Sequence, residues 1–386
     1  MKSSAMAFLI CGILVFALAH QAGAAPAGST KTTDRSTAPQ SAGTASDAWE
    51  EEWERVKAAA RKEGKVVITG NVGPGAAVLR KVLNEKFGIN PEFMAGRGAE
   101  VAQKIKAEQN AGVYSYDVIL SSTMNIILYL KPEGRVDRID TALILPEVKD
   151  PKLWYQGKIP WVDVEKRYHL AFFAAPIPGA LVNTTLVKQG DISSYYDLLA
   201  PKWKGKILVN DPTVSGSGNA WFTALAEDIG LEYFTRLLQQ EPVVMRDERL
   251  MTEWVARGKY PMLIGCDEKA AAEFMKAGAP MRGMQLKEGA YTTQSNGAVS
   301  IAVKAPHPNA AKVVLNWVLS KEGGTLLSQA TLNQSSRLDV PTDFLPAYII
   351  RQPGIKYADS SPEEYQIKKG KYEKIAKELF GPVLKK

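Results

Sequence analysis

From residue 65 onward the apolar and polar positions switch repeatedly between two periods. Lys65-Val-Val-Ile-Thr69 is a short β-branched run that predicts a strand. Gly70 to Gly75 is a glycine-rich loop, and Ala76 to Phe87 carries the apolar spacing of an amphipathic helix closed by Gly88. The succession recurs: a strand at 91–94, the loop Ala95-Gly-Arg-Gly98, a helix ending at Gly112, a strand at 116–120, then Ser121-Ser-Thr-Met-Asn125 leading into a further helix. Strands and helices alternating through short loops predict a mostly parallel α/β sheet. Ahead of it, Asp47 with Glu50 fits a capping box, and Trp49, Trp53, Val56 and Ala60 recur at helical spacing.

After Pro146 the pattern loosens. Residues 168–175 and 180–183 read as two extended segments around the joint Pro176-Ile-Pro-Gly179, and the crossing between two domains is placed there. A second α/β series follows. Its strands are Ile207–Val209, 242–245 and 261–265, and an alanine-rich helix closes it. Asn296 to Val303 reads as a strand that recrosses to the first domain, and 309–320 as a helix with Trp317 on its apolar side. Ser361-Pro-Glu-Glu364 fits a capping box that starts a basic amphipathic helix running to about Phe380, expected to pack on a domain surface. The expected division is lobe 1 at 47–175 and 300–386, and lobe 2 at 176–299.

The first residues belong to neither domain. Lys2, the apolar run Ala5 to Ala19 and the small residues Ala22-Gly23-Ala24 read as a cleavable signal peptide cut near Ala24, so 1–24 is expected to be removed on export. Residues 25–46, rich in Ser, Thr, Ala, Gly and Pro, read as a disordered linker. Cleavage would remove Lys2 and Cys11, taking the net charge from +7 to +6 and leaving Cys266 as the one cysteine. That excludes a disulfide-stapled secreted scaffold. The charge is spread without basic runs interleaved with aromatics, so no nucleic-acid partner is expected.

Candidate chemistry follows from the rule that open parallel sheets bind ligands beyond the carboxyl ends of their strands. The first domain offers Asn71, Gly73, Arg97, Gly98, Ser121, Ser122 and Thr123. The second offers Thr213, Ser215, Gly216, Ser217, Arg246 and Asp267, and Asn296 lies at the return crossing. The loop 213–218 opens a helix, where unpaired N–H groups, hydroxyls and the helix dipole suit an anion. Arg97, flanked by glycines ahead of a helix, suits a carboxylate, phosphonate, phosphate or sulfonate. Arg246 precedes Asp247 and Glu248, which could pair with it. Asp267 could contact a ligand amine or cap the next helix. Catalytic motifs are absent: beyond the signal peptide the only histidines are His169 and His307, and no HExxH, CxxC, GxSxG or Walker A pattern occurs. No cofactor or resident metal is expected.

Val66 to Gly75, GRGAEVAQKI at 96–105, YDVILSS at 116–122, ALVNTTLV at 180–187, YDLLAPKWKGKILVNDPTVSGSG at 196–218, VARGKYPMLIG at 255–265 and NGAVSIAVKAPHPNAAKVVLNWVLSKEGG at 296–324 stand in this order over nearly all of Trp49 to Arg337. So arranged, the chain resembles the bacterial extracellular solute-binding proteins of ABC importers, in the branch with ferric-, thiamine-, polyamine- and aminoalkylphosphonate-binding members. The resemblance implies a two-lobed type II periplasmic-binding-protein fold, two mixed and mostly parallel sheets joined by a two-stranded hinge that closes over one solute. It implies a periplasmic monomer that delivers its solute to an inner-membrane ABC permease. Ferric members centre on adjacent tyrosines in the second lobe. Here the corresponding loop reads Cys266-Asp267-Glu268, and the one adjacent pair, Tyr195-Tyr196, is expected to pack, so a small anionic organic solute is preferred over ferric ion. A secreted bilobed enzyme and a ligand-presenting sensor subunit are the alternatives.

Overall fold

The computed structural model describes residues 45–384 except 71, 72, 95, 97, 122, 215, 267, 268 and 296. The expected signal peptide lies outside them, as does the expected linker up to its last two residues, which open the first helix. That helix, α1 (Ala45–Glu63), starts two residues ahead of Asp47 and buries Val56 and Ala60 at its helical spacing.

The first lobe is built on β1 (Lys65–Gly70), which pairs in parallel with β2 (Asn90–Met94) and β3 (Val118–Leu120). Every residue of β1 after Lys65 is buried, as a central strand with both faces covered requires. β13 (Ala298–Ala302) returns antiparallel beside β3, and the short β4 (Val136–Asp137) and β5 (Leu170–Ala171) pair with β13. Around this sheet lie α1, α2 (Gly75–Val82), α3 (Gly98–Asn110), the short α4 (Pro146–Lys149), α9 (Pro308–Leu319) and α10 (Lys321–Thr331). Trp317 of α9 is buried in the core, as its position on the apolar side predicts.

The second lobe has the strand order β11-β7-β10-β8-β9, formed by β7 (Ala180–Asn183), β8 (Ile207–Asn210), β9 (Val243–Met245), β10 (Met262–Ile264) and β11 (Met281–Met284). β8, β9 and β10 are parallel, and β7 and β11 run against them. Its helices are α5 (Ser217–Ile229), α6 (Leu231–Leu238), α7 (Glu248–Ala256) and α8 (Lys269–Lys276). β11 has no counterpart in the sequence reading, because Met-Arg-Gly-Met carries neither β-branched residues nor alternation.

Between the lobes lies a third, three-stranded sheet: β6 (Ala175–Ile177), β12 (Ala290–Thr293) and β14 (Tyr357–Asp359). β6 and β12 carry the first two crossings, paired antiparallel with Thr292 opposite Pro176, and β14 carries a third on the way to the final helix. The return crossing therefore falls ahead of Asn296, where it was expected; residues from Ala298 on already belong to the sheet of lobe 1. β14 adds to β12 in parallel, with Tyr291 opposite Ala358. The final helix, α11 (Glu363–Phe380), also differs from expectation. It was assigned with lobe 1, but Ala376 and Phe380 are buried in the core of lobe 2, with Tyr372, Ile375 and Leu379 half-buried beside them. The reason is an apolar stripe at 365, 372, 376 and 380 that matches the surface of α5 and α6. The expected Ser361–Glu364 capping box does not form: the helix has Pro362 at its N-cap and no side-chain cap, and the Ser361 hydroxyl donates to Gln294 Oε1 at 3.1 Å.

His169 is fully buried between the lobe 1 strands. Ser300 Oγ donates to the Tyr168 carbonyl at 2.7 Å, so it accepts from His169 Nδ1 at 2.8 Å, and that nitrogen carries the proton. Nε2 has no hydrogen-bond partner. Burial pushes the imidazole pKa down to about 3, against a smaller upward pull from the Val299 carbonyl. The unfolded chain takes up this proton near pH 6.5 and the folded chain does so only near pH 3. Between those values the unfolded state binds more protons, and stability falls as pH drops. The loss at pH 5 is about 2 kcal/mol. Urea unfolding of the wild type and of His169→Asn between pH 7.5 and 5 should show the acid-induced loss shrinking by about that amount in the variant.

Candidate functional site

A cavity of about 280 Å³ opens where the two lobes, the hinge sheet and α11 meet. Lobe 1 contributes Met124, which follows the loop after β3. Lobe 2 contributes Gly216, Ser217 and Ala220 from the start of α5. The hinge contributes Ile177, Tyr291 and the turn Thr293-Gln294-Ser295, and the C-terminal segment contributes Ser360, Tyr365, Gln366 and Lys369.

The α5 start is held by close packing. Gly218 lies against the end of β8, and a Cβ there would stand 2.5 Å from the Asn210 carbonyl oxygen and 2.6 Å from that of Asp211. Only glycine lets the helix start so near the strand. Asn210 Nδ2 donates to Ser217 Oγ at 2.8 Å and to the Gly265 carbonyl at 3.1 Å, tying the ends of β8 and β10 to α5. The strand-end loop thus faces the cavity as the sheet rule predicts. The hinge turn is held just as closely. Gln294 Nε2 donates to Thr123 Oγ1 at 2.6 Å, and Gln294 Oε1 accepts from Ser361 Oγ. One buried amide thus joins lobe 1, the hinge and the C-terminal segment. Beside it Ser295 holds φ at 53°, a left-handed conformation that side chains seldom adopt.

Lys369 is the one charged group among the described lining residues. It is half-buried, and among the described residues it makes no hydrogen bond or ion pair. Burial lowers its ammonium pKa, with a partial counter-pull from Glu373 one turn on, whose carboxylate is engaged by Lys377 at 2.8 Å. Sequence reading passed over it. The available signal was its place at 369 in the apolar stripe 365, 372, 376, 380, where a lysine is out of pattern.

Of the residues read from sequence, Gly216 and Ser217 line the cavity, and Thr123 supports it through Gln294. Ser121 is buried next to Thr123, its N–H donating to the Ala298 carbonyl at 3.2 Å. Thr213 is buried and its N–H is spent on Asp211 Oδ1 at 2.8 Å, so it serves the loop and does not line the cavity. Gly73 is an exposed turn residue with φ of 47° and does not line the cavity, and Gly98 opens α3. Arg246 is exposed and bonds Asp211 Oδ2 at 2.6 Å. Its partner is therefore not Asp247, which caps α7 through Leu250 N–H, nor Glu248, which reaches Ser217 Oγ at 3.3 Å. Asn71, Arg97, Ser122, Ser215, Asp267 and Asn296 lie outside the described residues. Tyr195 is fully buried, accepting from Trp221 Nε1 at 3.2 Å, and burial pushes its phenol far up. Tyr196 is exposed and packs edge-on against Tyr233. As expected, both are packing residues.

The sequence model of the family described as bacterial extracellular solute-binding protein matches residues 69–325. The chain belongs to this family. Its members are the substrate-binding components of ABC importers, which sets the activity class as solute capture and the location as periplasmic or extracellular. An uncharacterized protein of Haemophilus influenzae is 26% identical over 290 residues, 69% of this chain and 77% of that protein. The periplasmic binding protein AfuA of Actinobacillus pleuropneumoniae, solved with exogenous fructose-6-phosphate, superposes with a TM-score of 0.56 over 82% of this chain and 99% of its own, at 22% identity. Trichodesmium FutA, solved with iron and citrate, gives 0.63 over 83% and 99%, at 17% identity. These likenesses carry the two-lobed type II fold. The model match ends at residue 325, ahead of the segment that supplies Ser360, Tyr365, Gln366 and Lys369.

Gly218→Ala should destabilise the protein by about 1–3 kcal/mol, because the added methyl meets backbone oxygens that cannot swing aside. Urea midpoints at constant slope would measure it.

Proposed function

We propose that this solute-binding protein captures a small organic anion in the cavity between its lobes and hands it, as a monomer, to an inner-membrane ABC permease. The observation that carries this reading is Lys369, a half-buried ammonium with no ion pair among the described residues, on a wall whose other described members are hydroxyl, amide and apolar groups. A cation so placed is under-solvated and gains from an anionic partner. The hydroxyls of Ser217, Thr293, Ser295 and Ser360 and the amide of Gln366 offer polar contacts around it. The apolar side, Met124, Ile177, Ala220 and the tyrosine rings, suits a carbon body. From lobe 1 we assign the strand-end groups Asn71, Arg97 and Ser122 as further contacts, with Ser215, Asp267 and Asn296 from the facing loops. The ligand in AfuA, fructose-6-phosphate, is an organic anion of this class.

Ferric ion, present in the FutA structure, finds less support here. Tyr365 lines the cavity, but its hydroxyl donates to the Ala220 carbonyl at 3.0 Å and burial pushes its phenol up, opposite to what a phenolate ligand needs. Among the described residues no group of three or more His, Cys, Asp or Glu side chains is placed to hold a metal.

A thermal-shift screen of carboxylates, phosphonates, sulfonates and sugar phosphates, with ferric citrate, spermidine and neutral sugars as comparisons, tests the reading. One anionic class should raise the midpoint by several degrees at saturating concentration, since binding at about 100 Kd adds about 2.7 kcal/mol. Lys369→Gln should remove most of that rise while leaving the unliganded midpoint unchanged or slightly higher, because it relieves a buried charge. A rise with neutral or cationic compounds alone, or one that survives in Lys369→Gln, would overturn the anionic assignment. Arg97→Ala should weaken the same anion, again without lowering the unliganded midpoint.

A further inference from the structure

The C-terminal segment touches both lobes through one rigid element. At the start of α11, the Glu363 carboxylate accepts from Lys131 Nζ at 2.6 Å and from the Val164 N–H at 3.0 Å, and the Glu363 N–H donates to the Val162 carbonyl at 2.8 Å. Lys131 also pairs with Glu165 at 2.5 Å. All these partners belong to lobe 1. Burial works against the Lys131 ammonium, but Glu165 and Glu363 outweigh it and hold its pKa above the usual value. Two residues further along the same helix, Tyr365 Oη donates to the Ala220 carbonyl of α5, and Lys368 pairs with Glu227 of α5 at 3.1 Å. The rest of α11 buries Ala376 and Phe380 in lobe 2.

We infer that α11 is a latch between the lobes, closed by Glu363 on Lys131. An intact helix rises about 1.5 Å per residue, so the points that bind lobe 1 and lobe 2 are only about 3 Å apart along its axis and move together. The lobes cannot swing open about β6 and β12 without breaking one set of contacts. The lobe 2 set includes a buried aromatic face, whereas the lobe 1 set is a small, partly buried ion cluster with a few backbone bonds. The cluster is the weaker side, and it opens first. With it closed, β14 pairs with β12, Ser361 holds Gln294, and Lys369 stays on the cavity wall six residues beyond Glu363. The latch therefore keeps the cavity formed before a solute arrives, and it does so whatever the solute's chemistry.

The test needs no solute. Nitroxide labels are placed at Lys81→Cys on α2 and Arg236→Cys on α6, both exposed and one on each lobe; Cys266 is buried and stays unlabelled. Interlobe distances are read by pulsed electron spin resonance in the full mature chain. Three backgrounds are compared: wild type, Glu363→Gln, and Glu227→Gln, which cuts an ion pair of α11 that stays within lobe 2. The wild type and Glu227→Gln should give one narrow distribution. Glu363→Gln should broaden it about twofold or add a longer-distance population. If Glu363→Gln folds poorly, Lys131→Gln cuts the same bond from the other side and is read in the same way. A broad wild-type distribution, an unchanged Glu363→Gln, or equal broadening in Glu227→Gln would overturn the latch.

Discussion

The pairing of β6 with β12 is the constraint on which the two-lobed arrangement rests. The first two crossings between the lobes run through these few residues, and their ladder fixes the strands side by side at Thr292 and Pro176. Everything that meets in the cavity is positioned from this sheet. The turn after β12 carries Gln294 to Thr123 in lobe 1, and the strand itself presents Tyr291 beside the start of α5. β14 adds a third strand, so the C-terminal segment is registered to the hinge before its helix begins.

The site joins parts of very different origin in the sequence. Its lobe 2 wall is a strand-to-helix loop of the kind that α/β sheets offer at their carboxyl ends, made possible by the close approach at Gly218. Its cation comes from the C-terminal helix, past the range that the family model matches. Lys369 occupies a place on that helix where an apolar side chain would fit the stripe. Among the described residues it has no ion pair, and its neighbour Glu373 is engaged by Lys377.

α11 has two physical characters along its length. Its C-terminal half is an ordinary amphipathic helix, held by Phe380 and Ala376 in an apolar core. Its first turn is polar and faces lobe 1, where Glu363 meets Lys131. Hydrophobic burial is strong and non-directional, while a partly buried ion cluster is directional and worth less. The same helix can thus be permanently seated on one lobe and reversibly held to the other.

The alternation of β-branched runs with amphipathic helices was enough to determine an α/β protein and the positions of β1, β2, β8 and β9. These features are local: period, capping residues and turn glycines act within a few residues. Distances along the chain could not decide where the C-terminal helix docks, because an apolar stripe states that a face is buried but not against which lobe. Nor could they show that Ser361 would donate to Gln294, that Arg246 would pair with Asp211, or that Lys369 would stand on the cavity wall. Those outcomes depend on which distant groups the hinge sheet brings within hydrogen-bond reach, and only the tertiary structure sets that.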